Sequence, residues 1–453
     1  MVPETRVPTV AVETLGCKLN QYESDSIATT LRHRGYEIVS FDEPADAYVI
    51  NSCTVTNKAD RKSRNTVYRA RRTGGGGSLV ILTGCFVDHR NRDARGDDRR
   101  RADRIDTPET GATYSIDNAH KNTIPDLIDA HLRGEVHGPD DFPGDLFGFE
   151  TPERIFHTRT NIKVQDGCDN FCTFCIIPFV RGRGTSRDPD AVIREASEAI
   201  AGGSRELVLT GVNMSRYRSA DGTEFVDLVD RILNLPGDFR LRISSLEPDG
   251  LDRRFVTLFR HPKMSRNLHL CVQSGSDRVL LGMRRMYTVA GFREIVDRLR
   301  ETDRSFNITT DIIVGFPGEN DDDLAASIRL IRDAGIGHVH TFPFSLRSGT
   351  RAERLASRVP GPEIAGRSER IRAASVEEKR RYRSTLIGTV ERVLVENVSE
   401  TVARGLGEHY VPVRFTGPSG GVVENEFYRV RITGIEDGDD PDLIGRLEPA
   451  PQV

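Results

Sequence analysis

Short apolar runs and longer stretches with helical spacing alternate along the first part of the chain. Residues 9–15 read as a strand that stops at Gly16-Cys17, and residues 20–33 read as the helix that follows. Residues 45–50 form a second strand, ending at Asn51-Ser52-Cys53, with a polar helix expected over 58–72. Past the glycine turn 74–77, residues 78–82 give a third strand, closed by Thr83-Gly84-Cys85. This alternation predicts βαβ units and a parallel sheet. The carboxyl ends of such strands share one edge, where ligands bind, so Cys17, Cys53 and Cys85 are expected to converge although about 30 residues separate each from the next.

A second βα series runs from about residue 160 to 344. Its strands are expected at 161–164, 206–210, 241–244, 268–272, 308–314 and 339–344, with amphipathic helical stretches between them. Six strands fall short of a closed eight-fold barrel and fit an open (β/α)6 barrel, whose chemistry gathers at the strand ends. From 362 to 382 a charged helix leads into a β-rich tail with strands at 389–395, 410–415 and 427–432, the pattern of a small closed barrel. The class is therefore α/β with a β-barrel appended, in three domains spanning 8–137, 154–382 and 383–448. Residues 89–104, dense in Arg and Asp, read as a mobile, solvated loop, and 138–152, rich in Gly, Pro and Asp, as a linker.

Composition narrows the function without naming it. The 453 residues carry 64 Lys and Arg against 68 Asp and Glu, a net charge of -4, so contact with nucleic acid must come from local basic patches. The chain has no apolar run of about 18 residues, which excludes a membrane span. Its first residues lack the basic-then-apolar order of a secretory signal, so a cytoplasmic, reducing location is expected, where the seven cysteines serve as metal ligands or core residues rather than disulfides.

Cys168-Asp-Asn-Phe-Cys172-Thr-Phe-Cys175 places three thiols within eight residues, with no fourth Cys or suitably spaced His nearby. A closed zinc site takes four ligands, so three soft thiolates suit an iron–sulfur cubane with one iron left open. A zinc loop completed from afar is the competing reading. Cys17, Cys53 and Cys85 form a second set of three with the same implication, against the ordinary reading of such spacing as scattered buried cysteines. Cys271, inside an apolar strand, is expected to fill core.

The spacing Cys168-x3-Cys172-x2-Cys175, with an aromatic residue before the last cysteine and an open βα barrel behind it, resembles the radical S-adenosylmethionine (SAM) superfamily. Thr14-Leu-Gly-Cys-Lys-Leu-Asn-Gln-Tyr-Glu-Ser24, Asn51-Ser-Cys-Thr-Val-Thr-Asn57 with Ala59-Asp-Arg-Lys-Ser-Arg64, and Thr83-Gly-Cys85 resemble the N-terminal domain of the methylthiotransferases within it. The Gly-Cys-Lys-x-Asn-Gln and Cys-Thr-Val-Thr forms are similar to the MtaB-like branch, which acts on threonylcarbamoyladenosine at position 37 of tRNA. Phe86-Val-Asp88 departs from the family's frequent Tyr-Ala-Gln, and Gly184-Thr185 replaces a more polar pair; neither change touches a ligand cysteine.

The resemblance implies two 4Fe-4S clusters and SAM. Cys168, Cys172 and Cys175 would hold the catalytic cluster whose free iron binds SAM, and Cys17, Cys53 and Cys85 an auxiliary cluster that carries sulfur. Gly211, Asn213, Ser245, Glu247, Gln273, Asp311 and Gly315 stand at strand ends where the superfamily positions SAM, and Arg187 is a further candidate for SAM or the tRNA backbone. The partners implied are the tRNA anticodon loop, a reducing electron donor and a sulfur source. Arg392, Arg404, Arg414, Arg429 and Arg431 in a TRAM-like tail would grip phosphates, with Phe427 or Tyr428 stacking on a base. Other acceptors consistent with the motifs are isopentenyladenosine in tRNA and a ribosomal-protein side chain; a non-catalytic iron–sulfur RNA adaptor is the reading from another class.

Overall fold

The computed structural model describes residues 6–93, 105–107, 111–153, 158–417 and 421–448. The fold is α/β with a closed β-barrel at its C-terminal end, and its residues separate into two compact units. The first gathers the described residues up to Arg187 with Thr210–Val212 and Ser345–Glu353. The second holds Asp188–Leu209, Asn213–Phe344 and the chain from Arg354 onward.

In the first unit the elements run β1 (Thr9–Thr14), α1 (Lys18–His33), β2 (Glu37–Val39), β3 (Ala47–Ser52), α2 (Asn57–Gly74), β4 (Leu79–Gly84), α3 (Cys85–Asp93), β5 (Ile105–Thr107), β6 (Ala112–Ile116) and α4 (Ile124–Leu132). After these come β7 (Thr160–Lys163), β8 (Gln165–Asp166), the short α5 (Ile177–Val180) and β9 (Thr185–Ser186). The sheet order is β2-β1-β3-β4-β6-β5, parallel except for β5. Strands β3 and β4 are buried on both faces, as a parallel sheet covered by helices requires. Ile50, Val80 and Leu82 pack with Val67 and Ala70 of α2, while Val49, Leu79 and Ile81 pack on the opposite face with Ile27 and Leu31 of α1 and Leu127 and Ile128 of α4.

Two expectations change here. Residues 89–93 of the expected mobile loop belong to α3, and 94–104 lie outside the described residues. The expected linker 138–152 is instead fastened to the sheet domain, because its scattered aromatics find apolar partners. Phe142 and Phe149 pack on the α1–α4 face, the Phe149 ring meets Tyr22 edge-on at 5.8 Å, and the carbonyl of Glu150 accepts from Ser26 Oγ at 2.5 Å.

In the second unit helices and parallel strands alternate: α6 (Pro189–Ala201), β10 (Glu206–Thr210), α7 (Phe225–Leu233), β11 (Arg240–Ile243), α8 (Arg253–Leu258), β12 (Asn267–His269), α9 (Asp277–Gly282), α10 (Val289–Thr302), β13 (Asn307–Val314), α11 (Asp321–Asp333) and β14 (His338–Pro343). Strands β10 and β11 pair in parallel, as do β12, β13 and β14. Helix α12 (Gly361–Thr385) then leads to β15 (Val390–Ser399), β16 (Val402–Leu406), β17 (Pro412–Thr416), β18 (Phe427–Ile435) and β19 (Leu443–Leu447), closed in the order β15-β16-β17-β19-β18. The sequence pattern shows three of these five strands; β16 and β19 are too short and too interrupted by Gly and charge to stand out. Gly405 is required where β16 crosses β15, since a Cβ there would lie 2.0 Å from the carbonyl oxygen of Leu394.

Buried charge docks this barrel on the rest of the second unit. Arg240 donates from Nη1 to the carbonyl of Arg392 and from Nη2 to that of Leu406, both at 3.1 Å, while its Nε holds Glu206 at 2.8 Å. His409 stands between Glu391 at 2.7 Å and Asp303 at 3.4 Å. Burial would lower its pKa, but the two carboxylates outweigh that and push it up to about 10. A His whose folded pKa is raised contributes stability in full below its unfolded value near 6.5 and loses it as pH climbs toward 10. Stability of the second unit is therefore expected to fall between pH 7 and 10, with a ceiling of about 5 kcal/mol on this contribution. Chemical denaturation across that range should show the fall in the wild type and its absence in His409→Gln, which starts less stable at pH 6.

Candidate metal centres

Three strand ends of the first unit bring Cys17, Cys53 and Cys85 to one place. Strand pairing sets Thr14 beside Asn51 and Ser52 beside Gly84, so the three turns that follow are neighbours. Gly16 adopts φ +104°, and a Cβ on it would lie 2.7 Å from Cys53 Cβ, so only glycine permits this approach. Asn20 ties two of the turns together, donating from Nδ2 to the carbonyls of Leu15 at 2.7 Å and Ser52 at 2.9 Å. Cys17 caps α1 and Cys85 opens α3. Burial, then the charges of Cys85 and Cys17, push the Cys53 thiol up to about 12. Three ionised sulfurs this close require a cation to replace their protons.

The fixed part of that positive charge is a buried ion network. Glu23, on the inner face of α1, meets Lys121 at 2.5 Å, Lys163 at 3.0 Å and Arg181 at 3.1 Å, and Asp166 meets Lys163 at 2.7 Å and Arg181 at 2.8 Å. All five side chains are at most 1% exposed. Burial would raise the Glu23 carboxyl, yet Arg181, Lys121 and Lys163 hold it well below the usual carboxylate range. Three cations against two carboxylates leave one positive charge over, and Arg181 and Lys121 both act on Cys85. Asn118 adds a neutral donor, its Nδ2 3.8 Å from Cys85 Sγ and 2.9 Å from the carbonyl of Val180.

Cys168, Cys172 and Cys175 lie on a tight loop after β8. Gly167 (φ +69°) precedes it where a Cβ would meet the carbonyl oxygen of Arg183 at 2.0 Å, and Phe171 bends the loop with φ 46°. The amide of Asn170 points at Cys168 Sγ at 3.5 Å. The two sets of cysteines adjoin: Cys85 packs against Ile176 and Val180, immediately beyond Cys175. A strap of the same unit, Ser345–Glu353, also reaches both. Arg347 donates to Thr54, Asp60 and Asn57, each at 2.7 Å, just past Cys53, and Ala352 N donates to the carbonyl of Thr173 at 2.8 Å.

The ligands of a single zinc ion gather around one centre, four to a closed site. A cubane attaches each thiolate to a different iron and keeps them farther apart. Each set offers three soft thiols, the number that holds a cubane with one iron open and one fewer than a closed zinc site takes.

Residues 9–102 match the family described as "Uncharacterized protein family UPF0004", and residues 162–331 match the "Radical SAM superfamily". A protein of Thermotoga maritima named threonylcarbamoyladenosine tRNA methylthiotransferase MtaB is 36% identical over 438 residues, covering 95% of each chain. The chain belongs to the MtaB-like radical SAM methylthiotransferases. A Bacillus subtilis protein of the same name is 33% identical and covers 90% of each chain. A tRNA-2-methylthio-N6-dimethylallyladenosine synthase of Methylibium petroleiphilum is 30% identical, covering 90% of this chain and 91% of its own. Among solved structures, the radical SAM methyltransferase TsrM of Kitasatospora setae aligns over 77% of both chains with a TM-score of 0.55 at 14% identity, a likeness of fold alone.

In this methylthiotransferase the strand-end residues expected near SAM have diverse surroundings. In the first unit, Gly211 precedes Val212, whose amide donates to Gln165 Oε1 at 2.9 Å, and Arg187 is buried with Nη1 3.2 Å from the carbonyl of Lys163. In the second, Asn213 accepts from Ser215 Oγ at 2.9 Å, Ser245 is half-buried beyond β11, and Glu247 pairs with Arg285 at 2.5 Å. Gln273 has φ 68° and bonds through its backbone to Asp311 and Ile313. Gly315 (φ +77°) accepts no Cβ because Ile364 would lie 2.4 Å away. The Asp311 carboxylate faces His269 at 3.2 Å and Cys271 at 3.7 Å. Cys271 thus does not fill core: its sulfur turns toward Asp311, on the face of the strand opposite the apolar residues.

Sequence reasoning missed Glu23, Lys121, Lys163, Asp166, Arg181 and Arg347. Glu23 carries a signal, since it sits on the apolar face of a predicted helix, and so does Lys163 inside an apolar strand; their partners are 98 to 158 residues away. Glu23→Gln removes one of two anions among three buried cations. It is expected to cost about 3–5 kcal/mol of stability, read by chemical denaturation of the full chain. A loss below about 1 kcal/mol would mean that the network is not the anchor.

Proposed function

We infer that this enzyme transfers a methylthio group to C2 of N6-threonylcarbamoyladenosine at position 37 of tRNA. The observation that carries the reading is the convergence of two thiol triads in one unit, beside a buried network with a positive charge to spare. The target carbon has no leaving group and no acidic proton, so acid–base side chains alone do not functionalise it. When bound, the clusters and SAM supply one-electron chemistry and a sulfur source.

The chain's own residues bind and orient these groups. Cys168, Cys172 and Cys175 would hold the cluster that takes SAM, and Cys17, Cys53 and Cys85 the auxiliary one. Arg181, Lys121 and Asn118 would offset its negative charge and exclude water from its sulfurs. Gly211 and Arg187 in the first unit, and Asn213, Ser245, Glu247, Gln273, Asp311 and Gly315 in the second, are the proposed SAM-binding residues. We read three domains, 8–137, 154–382 and 383–448, the last a TRAM-like module for the anticodon loop. The reading places the reaction in the cytoplasm, with an external electron donor and sulfur source.

Ion pairing within the tail bears on which of its residues would be free to meet RNA. Arg392, Arg404, Arg414 and Arg431 each pair with an acid, namely Asp238, Asp442, Glu436 and Glu448. Phe427 is covered by Arg392, whose guanidinium lies 3.7 Å from the ring centre, and Tyr428 packs against the barrel core. Arg429 is exposed and, although its charge acts on Glu448, makes no ion pair among the described residues, so of these five arginines it is the one most open to a phosphate. Arg429→Ala should weaken tRNA binding at all sequences and reduce the slope of log affinity against log salt by about 1. An unchanged slope in filter-binding titrations would remove Arg429 from the interface.

Anaerobically reconstituted protein should hold about eight irons per chain. Replacing Cys17, Cys53 and Cys85 together by Ala should halve the iron yet leave reductive release of 5'-deoxyadenosine from SAM, with no methylthio product. Replacing Cys168, Cys172 and Cys175 should halve the iron and abolish that release. Methylthio transfer by the first variant at the wild-type rate would overturn the assignment, and iron-free protein with stoichiometric zinc would overturn the clusters. The relatives named dimethylallyladenosine synthases make isopentenyladenosine the second acceptor to assay.

A further inference from the structure

A third group of metal-ligating side chains, sharing no residue with either thiol triad, lies in the second unit. His269 ends β12, and Cys271, two residues on, projects from the same face. Across the parallel ladder, where His269 pairs with Thr309, Asp311 of β13 presents its carboxylate to both. His269 Nε2 lies 3.2 Å from one carboxylate oxygen and Cys271 Sγ 3.7 Å from the other, and one donor atom from each residue falls within 4.8 Å of the rest.

Zinc bonds of about 2.0 Å to nitrogen and oxygen and 2.3 Å to sulfur set neighbouring ligands about 3.3 Å (N to O) and 3.5 Å (S to O) apart. The observed 3.2 Å and 3.7 Å are close to these, and because they run to the two different oxygens of Asp311, ligation through one oxygen needs a small turn of the carboxylate. The imidazole is already oriented to ligate, because its Nδ1 is 2.9 Å from Thr309 Oγ1, which turns Nε2 toward the carboxylate, as second contacts of metal-bound histidines do. His340 of β14 pairs with Asp311 and has its ring 5.4 Å from that of His269, and burial keeps it neutral by lowering its pKa. Glu247 and Arg285, which also act on Cys271, compensate one another as an ion pair. One nitrogen, one sulfur and one carboxylate form a borderline donor set that suits Zn2+ and disfavours Mg2+ or Ca2+.

We propose that His269, Cys271 and Asp311 bind a divalent transition-metal ion of the Zn2+ type, with a fourth position open to water or His340. The ion would clamp β12 to β13 and replace the proton of the buried Cys271 thiol. The proposal does not rest on the methylthio-transfer reading, and it gives the Asp311 carboxylate a metal in place of the SAM contact proposed above. The competing account is a hydrogen-bonded Cys–Asp–His chain without metal.

The test uses the full chain, reconstituted with iron and sulfide, equilibrated with micromolar zinc sulfate and freed of loosely held ion. Mass spectrometry of metals should find roughly one zinc per chain beside the iron, and zinc-edge X-ray absorption should find one sulfur neighbour among nitrogen and oxygen. Cys271→Ala and His269→Ala should each cut the zinc to less than about a fifth while the iron stays constant. Cys271→Ser, the smaller change, should remove the sulfur neighbour and weaken retention even if the alanine variants fold poorly. Wild-type protein without zinc, zinc that survives every one of these changes, or zinc with three sulfur neighbours, which would place it in a thiol triad, would each overturn the site.

Discussion

Five buried charges constrain the first unit more than any other interaction. Glu23 of α1, Lys121 before α4, Lys163 of β7, Asp166 of β8 and Arg181 after α5 are each nearly inaccessible to water. A buried ion loses several kcal/mol of hydration and is tolerated only with partners in good geometry, so none of these segments can settle without the others. The chain leaving the N-terminal sheet and the chain entering the Cys168 loop are thereby fixed to one helix. The same network sets the charge of the site, because its one surplus cation faces thiols that carry negative charge once metal is bound.

From that constraint the chemistry follows. Arg181 comes shortly after Cys175, across the single turn of α5, and also acts on Cys85, so the network that orders the fold lies between the two cysteine sets. The strap Ser345–Glu353 repeats the arrangement with Arg347, tied to residues just past Cys53 and near Thr173. Each fixes turns that carry thiols whose spacing matters.

Much of this is legible in the sequence. The strand-end position of Cys17, Cys53 and Cys85 follows from periodicity alone, and the Cys168-x3-Cys172-x2-Cys175 spacing speaks for itself. What periodicity does not show is long-range pairing: a glutamate on the buried face of a helix announces a partner without saying which lysine or arginine supplies it. Residues 138–152 mislead for a related reason. Their Gly, Pro and Asp content resembles a flexible tether, but Phe142 and Phe149 bury themselves against the sheet face. The apolar neighbours of Cys271 suggest core, whereas alternation along the strand turns its sulfur toward Asp311. The strands β16 and β19 escape a reading by composition because barrel closure, rather than their own residues, completes them.

The central claim is that the two thiol triads serve methylthio transfer to one particular modified adenosine. The most direct measurement is mass spectrometry of nucleosides from total tRNA of a strain lacking this gene, before and after the gene is restored. The account predicts that threonylcarbamoyladenosine lacks its methylthio group in the deletion and regains it on restoration, while isopentenyladenosine derivatives are unchanged. A change confined to the isopentenyl nucleosides, or no change in any methylthio nucleoside, would contradict it.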